Sequence, residues 1–327
     1  MSSTPSAEEI ARDATWLVQA LDADKAVVRL VRMDAARYRD ASFLDDRMFA
    51  ERFDSAVVPW SDLPSDIATP ATARWIFHIG HVGSTLVARL LGELDGVLSI
   101  REPRVLRDVA MLPPERREPF VPALRGLFAR TFANGGMAVV KATSFVSEIA
   151  PELAGAAPTL LMYASPRNYI ASILAGENSV KEMAALAPLR AGRVAGRAVL
   201  PQPSTPAEMA AAAWACEMTS LEATADALDA TWADFDAMLT NMPAELARLA
   251  GALGINAPAE RVTAIANGPL MRRYSKATEY AYSPDLRREL IAEATAHNRA
   301  SIDSAVAMLQ SAAERSPLLA RALDRSG

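Results

Sequence analysis

The spacing of apolar positions divides the chain near residue 73. Before it, Ile10, Ala14, Leu17 and Leu21 fall on one helical stripe, which predicts a helix over 7–21. Residues 26–33 (AVVRLVRM) read as a strand or a buried helical turn, and the Pro- and Asp-rich VVPWSDLPSD that follows at 57–66 reads as a loop. After residue 73, short apolar runs alternate with longer helical segments, the mark of a parallel α/β sheet. The pattern predicts strands over 74–79, 97–100, 138–141 and 159–164, with a fifth near 228–232. Helices are expected over 85–94, 122–133, 144–153 and 168–175. Residues 181–204 are rich in Ala, Arg, Pro and Gly, lack a clear period, and read as a mobile loop or lid. One long helix is expected over 206–228, another over 243–254 and a closing one over 286–309, with 268–284 a surface loop.

The architecture implied is α/β: a three-layer, P-loop-like parallel sheet flanked by helices. An N-terminal extension (1–70) packs on the main domain (71–327), whose C-terminal part is helical. With 327 residues, 51% of them hydrophobic, the chain can bury one large core. A net charge of −5 speaks against a nucleic-acid binder, which carries a basic surface. The single cysteine, Cys216, excludes an intrachain disulfide, and with Trp214 and Trp232 it reads as core. Three histidines (His78, His81, His297) offer little material for a metal centre, and no metal is expected. The N-terminus is polar and acidic, and no apolar run reaches the ~20 residues that span a bilayer. A soluble, cytoplasmic protein is expected, with oligomeric state open and a homodimer among the options.

The densest chemistry lies at Trp75-Ile-Phe-His-Ile-Gly-His81-Val-Gly83-Ser84-Thr85-Leu86. Strand, tight turn and helix start make a phosphate cradle, because turn N–H groups and the helix dipole both favour an anion. Gly83 permits close backbone approach, and Ser84 and Thr85 each offer a hydroxyl and an N–H. A helix N-cap satisfying itself is the plain alternative. The lysine of a nucleoside-triphosphatase loop is absent, which disfavours a kinase. Lys141 and Glu102 each end a short apolar strand, where ligands of open α/β sheets sit. A carboxylate there can act as general base, and His81 is the second candidate.

In order and spacing these segments resemble the sulfotransferase superfamily over roughly residues 73–310, nearest to bacterial members and the tyrosylprotein sulfotransferases. The resemblance rests on five sites: Gly83-Ser84-Thr85-Leu86, against the family's R-[SG]-G-T-T-L; Glu102 in LSIREP; Lys141 in VVKATS; Pro166-Arg167 through Ser172; and Arg272-Arg273-Tyr274-Ser275-Lys276. Such enzymes move a sulfuryl group from 3′-phosphoadenosine 5′-phosphosulfate (PAPS) to an acceptor. The resemblance implies that Gly83, Ser84 and Thr85 hold the 5′-phosphosulfate, and that Arg167 and Ser172 hold the 3′-phosphate. It implies that Arg273, Ser275 and Lys276 form a late cofactor-binding segment. Lys141 then stabilises the transferring group, and Glu102 or His81 activates a hydroxyl or amine on a small-molecule or peptide acceptor. Residues 1–70 and 181–204 would shape the acceptor pocket. Two positions depart from the family: His81 stands where the loop has Arg or Lys, and Ala164 where the 3′-phosphate segment has Arg. The rival expectation is a nucleotide-binding protein without transfer activity, or one repurposed for another phosphorylated ligand.

Overall fold

The computed structural model describes residues 4–50, 52–64, 67, 72–133, 135–273, 275 and 281–327. The N-terminal part holds helix α1 (Ala7–Arg12), strands β1 (Trp16–Asp22) and β2 (Val27–Arg32), helix α2 (Ala35–Asp40) and strand β3 (Ser55–Pro59). Its three strands form an antiparallel sheet in chain order. The helix expected over 7–21 therefore ends at Arg12, where Asp13 turns extended. Six of the seven β1 residues are buried, so the strand shows no alternation, and its leucines mimic a helical stripe. Of residues 26–33, Val27–Arg32 is strand. The piece expected as a loop is β3 and a 3-10 turn, Trp60–Asp62.

From β4 (Arg74–His78) strands and helices alternate. They run α3 (Ser84–Gly92), β5 (Val97–Arg101), α4 (Arg104–Ala110), α5 (Pro114–Arg117), α6 (Val121–Ala129), β6 (Met137–Lys141), α7 (Ala150–Ala154) and β7 (Thr159–Tyr163). Then come α8 (Pro166–Leu174), α9 (Glu177–Val194), α10 (Pro206–Ala225) and β8 (Ala230–Asp234). The C-terminal part is helical: α11 (Phe235–Met238), α12 (Met242–Ala252), α13 (Ala259–Ala266), α14 (Pro284–His297), α15 (Arg299–Ala313) and α16 (Pro317–Arg325). β4 to β8 form one parallel sheet, as the pattern of apolar runs predicts, in the order β5-β6-β4-β7-β8. After β4 the chain fills one side, with β5 at the edge and β6 returning beside β4, and then builds outward on the other (β7, β8). The crevice of such a sheet opens at the carboxyl end of its first strand, here at His78.

Four further expectations need correction. Residues 144–153 begin as a 3-10 stretch, Ser144–Ile149, before α7. Residues 181–204 are mostly helix α9, with Pro188 inside it. The expected closing helix breaks at Asn298 into α14 and α15. α6 stops at Ala129, because Arg130 is extended. α10 is buried on nearly all sides, against α8, α9, α15 and α16. Trp214 and Cys216 lie in that core, and burial pushes the Cys216 thiol up to about 12.

Buried guanidinium groups fasten the N-terminal part to the sheet. Arg130 donates to the carbonyls of Ile10, Trp16 (2.8 Å) and Leu127 (2.8 Å). Arg101 donates to the carbonyls of Tyr38 and Ala41 (2.9 Å), and Arg89 to that of Asp40 (2.9 Å). These last two arginines satisfy the carbonyls that the C-terminal end of α2 leaves without helical partners. Burial lowers Arg101 to about 9 and Arg130 to about 10. Among the described residues no helix is long and apolar enough to cross a membrane.

Candidate functional site

The turn after β4 carries positive φ at Gly80 (81°), His81 (54°) and Gly83 (62°). Only three non-glycine residues in the described chain adopt positive φ, and two of them are His81 and Glu102. The turn is braced by His78. The Gly80 N–H donates to His78 Nδ1 at 2.9 Å, so the ring proton sits on Nε2, which lies 2.9 Å from the Ala142 carbonyl. Gly83 is the N-cap of α3, and among the described residues no side chain caps that helix. A Cβ at Gly83 would lie 2.0 Å from the Phe235 ring, so packing as well as φ demands glycine. Thr85 Oγ1 is buried and has no hydrogen-bond partner among the described residues. An uncapped helix start, a glycine-lined approach and an orphaned hydroxyl together suit an anionic phosphate or sulfate end.

A cavity of about 300 Å³ opens over this turn. It brings together His81, Gly83, Ser84, Thr85, Lys141, Ser172, Arg273 and Ser275. Ser172 donates its hydroxyl to the Tyr169 carbonyl at 2.8 Å, which leaves its lone pairs toward the cavity as acceptors. Lys276 lies outside the described residues. Arg167 does not join the group. Its exposed side chain pairs with Asp303 at 2.6 Å and lines a separate groove of about 610 Å³. The reason is helical geometry: residues five apart on α8 point about 140° away from each other, so Ser172 and Arg167 face different ways.

A second chamber, about 440 Å³, meets the first at His78 and His81, and Glu102 lines it. β5 and β6 end side by side, with Arg101 opposite Lys141 and the Glu102 N–H donating to the Lys141 carbonyl at 2.7 Å. Lys141 Nζ then donates to Glu102 Oε1. This buried ion pair spans the wall between the chambers, with lysine on the cradle side and carboxylate on the other. Arg47 donates to Glu102 Oε2 at 3.2 Å, grips Asp45 with contacts of 2.7 to 3.0 Å, and stacks on Phe43, 3.4 Å from the ring centroid.

Sequence reading missed four contributors. Arg47 lies in a stretch without periodicity, and its role exists only through tertiary contact. Phe235 follows Asp234, whose carboxylate caps α11, a turn signal that says nothing of the ring's position on Gly83. Leu286 and Leu290 of α14 line the cradle cavity while partly exposed, which a helical stripe does not distinguish from core.

No protein-family model matches this chain, and no curated protein sequence matches it. One solved structure with a similar fold is described as a sulfotransferase domain from the curacin biosynthetic pathway. It shares 12% identity, with a TM-score of 0.41, over 68% of this chain and 87% of that one. A likeness so distant carries no functional argument.

Proposed function

We propose that this chain is a sulfotransferase that binds PAPS over the 80–85 turn and transfers its sulfuryl group to a hydroxyl or amine. The observation that carries the reading is the single cavity joining the uncapped start of α3 to Lys141, Ser172, Arg273 and Ser275. PAPS supplies an activated sulfuryl group on a phosphate leaving group. The N–H groups of residues 83–85 and the hydroxyls of Ser84 and Thr85 would hold its 5′ end. Arg273 would serve the far phosphate, joined by Ser172 when its hydroxyl turns from the Tyr169 carbonyl to donate, in place of the pairing with Arg167 that the sequence implied. Lys141 brings a fixed positive charge to the oxygen from which sulfur departs, where charge develops in the transition state. Glu102 anchors that lysine. Glu102, or His81 at the junction, takes the proton of the acceptor as the new sulfur–oxygen or sulfur–nitrogen bond forms.

A second reading is a nucleotide-binding protein without transfer. Ala164 in the expected arginine position, and a Glu102 already held by Lys141 and Arg47, favour it.

Thermal unfolding separates the readings. PAPS and its product, 3′-phosphoadenosine 5′-phosphate (PAP), are expected to raise Tm, while ATP with Mg²⁺ leaves it unchanged. Gly83→Val is expected to abolish the PAP shift. If neither nucleotide shifts Tm, the sulfotransferase reading fails. Binding of PAPS without release of PAP in the presence of acceptors supports the second reading. Glu102→Gln that retains turnover assigns the base to His81.

A further inference from the structure

We infer that the second chamber is the acceptor site and that it is matched to an amphoteric acceptor, one that bears an anionic and a cationic group beside its reacting hydroxyl or amine. The inference rests on the PAPS reading, which puts the transferring end at the His78–His81 junction. At about 440 Å³ the chamber suits a small molecule. Its walls are segment 43–47, the ends of β4 and β5, and one face of α9. On α9, Glu182, Leu186 and Arg190 recur every fourth residue and so share that face.

Most of the chamber's charges are already matched within the protein. Asp45 is held by Arg47, and Glu102 by Lys141 and Arg47. Asp46 is held by Arg104 and, at 3.5 Å, by Arg29. Arg190 is held by the buried Glu217 at 3.4 Å. Two charged side chains remain. Arg107 on α4 and Glu182 on α9 are exposed, line the chamber, and make no ion pair among the described residues. An acceptor with a single charge would cover one of them without neutralising it. One with both charges leaves neither uncompensated. The aromatic faces are also spoken for. Arg47 covers Phe43, and Arg193 lies over Phe145, 4.6 Å from its ring centroid. Flat apolar acceptors therefore find little bare ring surface here, which again favours recognition by charge.

The test measures sulfuryl transfer from PAPS to four phenols on one skeleton: L-tyrosine, with both charges; tyramine, with the cation; 3-(4-hydroxyphenyl)propionate, with the anion; and p-cresol, with neither. L-Tyrosine is expected to show a kcat/KM at least about tenfold above the others. Arg107→Ala is expected to erase the preference for a carboxylate, bringing L-tyrosine down to the level of tyramine. Glu182→Ala is expected to erase the preference for an ammonium group. PAP affinity reports that each variant is folded. Equal kcat/KM for all four phenols overturns the inference. So do preferences that survive both substitutions, or turnover of another acceptor but of none of these phenols; PAPS binding with no transfer to any acceptor counts instead against the transfer reading. Failure to bind PAP at all defeats the PAPS reading instead.

Discussion

Lys141 is 1% exposed at its side chain, and its partner Glu102, which Arg47 also holds, is 11% exposed, so each buried charge is compensated in part by the other. Removing one partner of a buried pair strands the other charge, whereas removing both costs far less. Lys141→Met is expected to lower the unfolding free energy by about 3 kcal/mol, with Lys141→Met/Glu102→Gln recovering most of it, as read by urea denaturation. A double variant that loses the sum of what Lys141→Met and Glu102→Gln lose singly would show that the two residues act independently. Both residues were legible in the sequence because each is a charge that closes an apolar strand. The contact between them was not, since it follows from β5 and β6 being neighbours in the sheet. Arg167 shows the opposite failure. Its charge and spacing to Ser172 fit a motif, yet the helical angle between them sends it to another groove.

Helix α10 runs through the helical half of the molecule, and a capping box begins it. Thr205 accepts from the Glu208 N–H at 3.2 Å, and Glu208 accepts in return from the N–H groups of Ser204 (2.8 Å) and Thr205 (3.2 Å). These bonds, the Ser204 N–H first, hold the Glu208 carboxyl below its ordinary value of 4.5. A carboxyl depressed in the folded state stabilises fully above the unfolded value, and the benefit fades as pH falls through the folded one. Wild type is therefore expected to exceed Glu208→Gln in urea midpoint at pH 7. The gap should close as the pH is lowered below about 4.5. A gap that is constant with pH would assign the effect to packing. α9 was illegible as a helix for a related reason. It meets α10 through Arg190 and Arg193 on the buried Glu217, each at 3.4 Å, rather than through an apolar stripe. Hydrophobic periodicity therefore has little to report there, and Pro188 reads as a breaker. The parallel strands were legible because near-complete burial makes each a short, mostly apolar run.

At the scale of the whole molecule, the N-terminal part supplies segment 43–47 to the second chamber, and its seating depends on buried arginines that bind carbonyls. Arg130→Met would leave the Ile10, Trp16 and Leu127 carbonyls without that donor. The expected loss is about 2–4 kcal/mol, with earlier protease cleavage before residue 33. Unchanged stability and cleavage would show that the antiparallel sheet holds its place without this arginine. The position of the candidate site followed from topology, because a parallel sheet with strands added on both sides of β4 opens its crevice there. The division into two chambers joined at His78 and His81 was not visible in the sequence, because segments far apart in the chain form its walls. The most direct test of the account is a crystal structure of this protein with PAP. The 5′-phosphate is expected on the N–H groups of residues 83–85, on the Lys141 side of the turn. PAP bound in the groove of Arg167, with the turn bare, would contradict it.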